Sequence, residues 1–249
     1  MVRRESSPAA LRERLRTERL VGTFVKIGAL EVVDLIALAG MDFAIIDLEH
    51  SQLSEDDARR LVRHARAIDL PAVVRIPSCD QGEVNRLLEA GAAGIQLSTV
   101  RSMDDVIRLV GATRYPPQGR RSVSLAHPVA GYGTVALRDA ATAPPPLLVG
   151  QIETAVTHGP LEQILGILDV AFLGVTDLEV DLEFDPERVA ERTSEIVKAA
   201  EAAGVTLGAY APDPASIPAG ARYVALSSDV ALLRGALADA STQTREAGR

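Results

Sequence analysis

An apolar run, Phe43-Ala44-Ile45-Ile46, breaks abruptly into Asp47-Leu48-Glu49-His50, and the pattern of a hydrophobic stretch ending on an ionisable side chain recurs down the chain. Arg75 sits between Val74 and Ile76, Glu153 closes Leu147-Leu148-Val149-Gly150-Gln151-Ile152, and Asp177 follows Phe172-Leu173-Gly174-Val175-Thr176. An arginine inside an apolar strand demands an acidic partner or a bound anion, because a buried guanidinium is tolerated only when paired. Carboxylates gathered from several strand ends repel one another unless a proton or a cation lies between them. A divalent metal meets that demand, and oxygen donors with room for water favour Mg²⁺ or Mn²⁺ over structural Zn²⁺. Taken singly, each acid has a simpler reading as a helix cap or a solvated loop charge, and His50 alone is no more than a surface histidine. By the same measure His64 belongs to a solvated helix face, and His127 and His158 are loop residues rather than ligands. Cys79 is a packing residue, and Ser98-Thr99 are turn formers or pocket lining.

These residues can act together only if the chain brings the strand ends to one place. Hydrophobic strand-like runs centre near residues 24, 45, 74, 96, 150, 172, 207 and 225, each followed by a helical or turn-rich stretch. Eight alternating units are the signature of a (β/α)8 TIM barrel, whose chemistry gathers at the C-terminal ends of the strands. A doubly wound open sheet is the alternative, but no Gly-x-Gly-x-x-Gly turn follows the first strand to support it. Ser7-Pro8 predicts a capped N-terminal helix that plugs one end of the fold, and Ser54-Glu55-Asp56-Asp57 predicts a helix start with acids in its first turn. Residues 114–146, with Pro144-Pro145-Pro146 at their end, break the period and predict a long loop holding a short helix near Val135 to Ala141. A helix over 161–168, a helix over 186–203 and a closing helix from Val230 to about Ala240 complete the pattern. Ser241 to Arg249 reads as a polar, frayed tail.

Composition narrows the class. At 249 residues and 47% hydrophobic, the chain can bury a large core as one domain spanning 1–249. A net charge of −8 with 3% aromatic residues supplies neither the basic footprint nor the stacking surface that nucleic-acid binders use. The single cysteine, Cys79, excludes an intrachain disulfide and fits a reducing cytoplasmic compartment, while the charged N-terminus lacks the apolar segment of a signal peptide. No apolar run approaches a membrane-spanning length.

Several motifs in fixed order resemble the HpcH/HpaI family of class II pyruvate-type aldolases, relatives of macrophomate synthase, over roughly Leu20 to Leu237. They are Gly22-Thr23-Phe24, Asp47-Leu48-Glu49-His50, Val74-Arg75-Ile76-Pro77, Leu88-Glu89-Ala90-Gly91-Ala92, Arg114-Tyr115-Pro116-Pro117-Gln118-Gly119, Gln151-Ile152-Glu153 and Gly174-Val175-Thr176-Asp177-Leu178. The resemblance implies a phosphoenolpyruvate/pyruvate-binding barrel and a carbon–carbon lyase that cleaves or forms 2-keto-acid aldols through a pyruvate enolate. It implies that Glu153 and Asp177 ligate a divalent metal, Mg²⁺ or Mn²⁺ with Co²⁺ as a further option, and that Asp47 and Glu49 lie near the metal's waters. Arg75 would support the developing oxyanion, and His50 would move the proton at the aldol hydroxyl. Gln151, Gly174 and the amides of Val175 and Thr176 would hold the keto acid's carboxylate, the acceptor being an aldehyde or keto compound. It also implies a homohexamer, a trimer of dimers with C-terminal helices exchanged, in which residue 89 of one subunit orients the histidine of another.

The chain departs from the family pattern at four places. Glu89 stands where the family has Asp, Leu97-Ser98 replaces Val-Pro, Arg121-Ser122 replaces Arg-Gly, and Gly174-Val175 replaces Gly-Pro. Two other functions therefore stay open: a biosynthetic relative that transforms a keto acid such as oxaloacetate in a specialised-metabolite or siderophore pathway, and a non-catalytic keto-acid-binding barrel.

Overall fold

A computed structural model describes residues 7–247; Met1 to Ser6 and Gly248-Arg249, and the sequence expectations that rest on them, lie outside the described residues. Among the described residues, eight strands form one closed parallel barrel in sequence order. They are β1 (Leu20–Val25), β2 (Phe43–Asp47), β3 (Ala72–Ile76), β4 (Gly94–Leu97), β5 (Leu147–Ile152), β6 (Val170–Leu173), β7 (Thr206–Ala211) and β8 (Tyr223–Ser228), and β8 closes on β1. The (β/α)8 expectation holds, and the open-sheet alternative falls with the β1–β8 pairing. Register places Asp47 beside Arg75, and Arg75 beside Gln96, so the polar residues of β2, β3 and β4 share one layer.

The helices are α1 (Pro8–Thr17), α2 (Leu30–Leu38), α3 (Glu55–Ala67), α4 (Gln81–Ala90), α5 (Met103–Thr113), α6 (Leu137–Thr142), α7 (Leu161–Leu165), α8 (Val175–Asp181), α9 (Pro186–Ala202) and α10 (Asp229–Ala247). Capping chemistry sets several starts. Ser54 and Asp57 bond reciprocally across the first turn of α3, as do Ser102 and Asp105 in α5, and Asp185 caps α9 ahead of Pro186.

Two buried layers hold the barrel. Inside it, Phe24, Phe43, Ile45, Val73, Leu147, Val149, Phe172 and Tyr223 pack with Leu11 and Leu15 of α1, so the N-terminal helix does plug one end. Phe43 stacks on Tyr223 at 4.4 Å between ring centroids, with Phe172 edge-on to the same phenol; these three and Phe24 are the aromatics of the barrel interior, whereas Tyr132, Phe184 and Tyr210 are exposed. Arg12 locks that plug by pairing with Asp169, just before β6, at 2.6 Å. A second, larger layer lies between strands and helices, built from residues such as Val33, Ile46, Leu61, Leu87, Ile95, Leu109 and Ile164. Each fully buried side chain of this size contributes about 1.5–3 kcal/mol relative to exposure.

Two expectations need correction, and one helix was not anticipated. Residues 175–181 form α8, because Gly174 ends β6 and Leu178 buries against the core one turn later. The helix expected over 161–168 stops at Leu165, at the Gly166 cap. The tail expected to fray is helical to Ala247, with Val230, Leu232, Leu233 and Leu237 exposed along α10. Among the described residues no helix is long and apolar enough to cross a membrane.

Candidate active site

The C-terminal ends of the strands converge as anticipated. Asp47, the last residue of β2, is fully buried and accepts two parallel hydrogen bonds from Arg75, Nε to Oδ1 at 2.8 Å and Nη2 to Oδ2 at 2.7 Å. Such a fork fixes the guanidinium plane as well as its charge. Lys26, one residue past β1, adds a third cationic bond: its Nζ donates to Asp47 Oδ2 and to the His50 carbonyl, both at 2.7 Å. Asp47 Oδ1 also accepts the backbone N–H of Glu49 (3.1 Å) and His50 (3.2 Å), which winds the 47–50 segment into a fixed turn. Burial pushes the Asp47 carboxyl up, but the hydrogen bonds and charges of Arg75 and Lys26 outweigh it and hold the group at about 2.

Arg75 also reaches Glu49 Oε2 through Nη1 at 3.2 Å, and its guanidinium carbon lies 4.4 Å from the centroid of Phe24. Three of its five N–H groups are thus committed, leaving two for an anion in the mouth. Ser98 Oγ donates to the same Glu49 oxygen at 2.6 Å. The His50 ring is mostly exposed, with Nε2 3.7 Å from Glu49 Oε2.

Glu153, one residue past β5, is buried and receives a donor on each oxygen: the Thr99 hydroxyl on Oε1 at 2.5 Å and Gln151 Nε2 on Oε2. The Gln151 amide is itself held, since Gln96 Nε2 donates to its Oε1 at 2.9 Å and Tyr223 OH donates to Gln96 Oε1 at 3.4 Å. Burial pushes the Glu153 carboxyl up; the bonds from Thr99 and Gln151 oppose this, and the negative charges of Asp177 and Glu49 add to it. Gly174 leaves space for the same carboxylate: a Cβ there would lie 2.7 Å from both Cβ and Oε2 of Glu153. Asp177, in the first turn of α8, is exposed.

The charges divide cleanly. Lys26 and Arg75 neutralise Asp47 and Glu49, so among the described residues Glu153 and Asp177 remain as two carboxylates without an ion pair to Lys or Arg. Among the described residues no group of three or more His, Cys, Asp or Glu gathers as a ready metal cage. Two carboxylates with the remaining positions left to water and substrate is nevertheless how Mg²⁺-type ions are commonly held, so the donor set fits a hard divalent cation. A cavity of about 720 Å³ lies at the opposite end of the barrel, lined by Arg66, Pro71, Ala92, Arg114, Tyr115 and Pro146 among others, and includes none of these residues. Chemistry rather than volume locates the site.

The family model described as HpcH/HpaI aldolase/citrate lyase matches residues 20–236. The chain belongs to that family. A hydroxypyruvate/pyruvate aldolase of Paraburkholderia phytofirmans is 34% identical over 256 aligned residues, covering 94% of this chain and 97% of the relative. A solved HpcH/HpaI aldolase/citrate lyase family protein from Burkholderia cenocepacia J2315 superposes with a TM-score of 0.87 at 30% identity, covering 95% of this chain and 99% of that one. Macrophomate synthase shares the fold at a TM-score of 0.80 and 24% identity, over 96% of this chain and 90% of that one. With its relatives named aldolases, this member of the HpcH/HpaI family is an aldolase, a carbon–carbon lyase.

Within that frame the structure brings together Asp47, Glu49, His50, Arg75, Gln151, Glu153, Gly174 and Asp177. It does not bring Glu89 to His50 of the same chain. Glu89 lies in the last turn of α4, which runs back toward the N-terminal ends of the strands, and accepts from Asn85 Nδ2 at 3.1 Å near Arg121. Gln151 commits its carbonyl oxygen and one N–H to Gln96 and Glu153, so one N–H remains for a ligand. Val175 and Thr176 supply the first amides of α8, which have no i−4 partner within the helix. His64 is not simply solvated; it bonds Asp34 Oδ1 at 2.7 Å. His127 caps the 128–133 turn, and Cys79 packs partly against the core with its thiol pushed up by burial. Sequence reading passed over Lys26 and Gln96. Both end or interrupt apolar strands as Arg75 does, and that rule applied evenly finds Lys26.

Proposed function

We propose that this chain is a divalent-metal-dependent aldolase that cleaves or forms the carbon–carbon bond next to a 2-keto acid through a pyruvate-type enolate. The observation that carries this reading is the pair Glu153 and Asp177, which lie close enough to raise the Glu153 carboxyl together with Glu49, the acid that Arg75 also holds, on one barrel mouth. Glu153 and Asp177 would hold the ion, Mg²⁺ or Mn²⁺ by donor type, with Co²⁺ a further fit. When bound, such a metal supplies a Lewis acid to the keto oxygen and lowers the cost of the enolate.

The protein's own groups do the rest. Arg75, locked by Asp47, presents its two remaining N–H groups to the oxyanion as charge develops, and needs no rearrangement to do so. The amides of Val175 and Thr176 and the free N–H of Gln151 hold the keto acid's carboxylate. His50 takes or returns the proton at the hydroxyl of the aldol, its main chain fixed by Asp47 and Lys26 while its ring faces the open mouth. The similarity to a hydroxypyruvate/pyruvate aldolase supports pyruvate or hydroxypyruvate as the nucleophile and an aldehyde as acceptor.

We also propose a cytoplasmic homohexamer, a trimer of dimers, in which the partner subunit's Glu89 approaches His50. The separation of Glu89 from His50 within one chain and the exposed leucines of α10 support that assembly. The test is methyl-proton exchange of pyruvate in D₂O, followed by NMR with purified protein and Mg²⁺ or Mn²⁺. Metal-dependent exchange, lost with EDTA and in Arg75→Ala, is expected; exchange that never exceeds the protein-free rate refutes the reading, and so does cleavage of no 4-hydroxy-2-keto acid.

A further inference from the structure

We infer that β4 and the turn after it form the positioning element for Glu153, with Thr99 fixing one carboxylate oxygen directly and Gln96 fixing the other through Gln151. The inference rests on Glu153 being a metal ligand, as proposed above, and concerns residues to which that reading gave no part.

The geometry begins with a backbone conformation. Thr99 has φ of 50°, the left-handed region that β-branched residues rarely enter and that is strained for them. Its neighbours are pinned on both sides: Ser98 N–H donates to the Ile76 carbonyl at 3.1 Å, continuing the β3 ladder, and Val100 N–H donates to the Gln151 carbonyl at 2.9 Å, continuing the β5 ladder. Between these anchors the left-handed residue turns its hydroxyl onto Glu153 Oε1 at 2.5 Å. Threonine here is a poor choice for the backbone and a suitable one for the carboxylate.

The second arm comes from within the strand. Gln96 is fully buried and points into the barrel, where an apolar residue would pack at less desolvation cost. It donates to Gln151 Oε1 and accepts from Tyr223, and so settles which end of the Gln151 amide faces Glu153. With Oε1 and Oε2 each receiving one donor, the carboxylate can neither rotate nor flip without breaking a bond. A ligand held in this way keeps its remaining lone pairs aimed in fixed directions, and outer partners of metal ligands typically contribute 10- to 100-fold in metal affinity.

The experiment compares Mn²⁺ binding by EPR titration in the wild-type protein, Thr99→Val, Thr99→Ser and Gln96→Leu, with thermal unfolding of each metal-free protein alongside. Thr99→Val keeps shape and branching but removes the donor, and a loss of tenfold or more in Mn²⁺ affinity is expected with folding retained. Thr99→Ser restores the hydroxyl, and its affinity should return to within about threefold of wild type, a rescue that a packing role would not give. Gln96→Leu frees the Gln151 amide and should also weaken Mn²⁺ binding, independently of Thr99. Wild-type affinity in both Thr99→Val and Gln96→Leu overturns the inference while leaving the metal reading intact. Equal losses in Thr99→Val and Thr99→Ser overturn the role of the hydroxyl. Absence of Mn²⁺ binding in the wild-type protein overturns the metal reading and this inference with it.

Discussion

Replacing Asp47 by Asn tests the electrostatic frame of the site most directly, because the side chain is fully buried and bonded to two cations. Its carboxyl is lowered from 3.8 to about 2, and a gap of that size corresponds to about 2 kcal/mol of stability contributed by the ionised form. A folded-state value below the unfolded one means the contribution is fully present above about pH 4 and is lost as pH falls toward 2. Asn keeps the volume but cannot offset Arg75 and Lys26, and removing one partner of a buried pair costs about 3–5 kcal/mol, here moderated by the partial exposure of Lys26 and by the contact between Arg75 and Glu49. Asp47→Asn should therefore be about 2–4 kcal/mol less stable than wild type at pH 7 by urea unfolding at matched protein concentration. The gap should shrink by about 1 kcal/mol at pH 3, where half of the linked protonation has occurred. A pH-independent gap, or no gap at pH 7, would refute the claim that Asp47 is the charged hub of the mouth.

The other predictions concern chemistry and ligands. His50→Ala should lower kcat for aldol cleavage by about 10²- to 10⁴-fold, the usual contribution of a general acid or base, with Mn²⁺ affinity unchanged by EPR; a matching loss of metal would assign His50 to the ligand set. Gly174→Ala puts a methyl group 2.7 Å from Glu153 Oε2 and should weaken Mn²⁺ binding while α8 and the barrel persist by circular dichroism; unaltered affinity would show that Glu153 has room to move. Mn²⁺ at 100 times its Kd should add about 2.7 kcal/mol to the stability of the wild-type protein, measured as a thermal shift that EDTA reverses and that Glu153→Gln lacks.

The barrel was legible because its signals are local and repeat. Apolar strands buried on both faces and the Ser7 and Ser54 caps each follow from short stretches of sequence, and eight repetitions leave little topological choice. The requirement that Arg75 find an acid was also legible, since no buried guanidinium can do without one, and Asp47 and Glu49 supply it. What escaped was decided by tertiary context. Residues 175–181 carry Val, Thr and Asp, with no strong helical preference, and become helical because Leu178 must reach the core after Gly174 ends the strand. The tail of α10 continues to Ala247 because residues 241–247 contain neither Gly nor Pro to end the helix that the Ala- and Leu-rich residues 231–240 establish, whatever their polarity. Thr99 reads only as a turn former or pocket lining, for a different reason: nothing in Leu97-Ser98-Thr99-Val100 announces a left-handed threonine, and only the two ladders pinning its neighbours impose one. That difference carries a general consequence for the mouth. Residues that must be charged can be found from their cost of burial, whereas residues that aim those charges are ordinary polar side chains whose role exists only in three dimensions. Departures from the family pattern at such positions, as at Ser98, alter aim before they alter charge; Ser98 bonds Glu49, which also holds Arg75 and flanks His50. Differences in acceptor choice within the family should therefore map to these hydroxyl and amide positions rather than to the carboxylates and the arginine they orient.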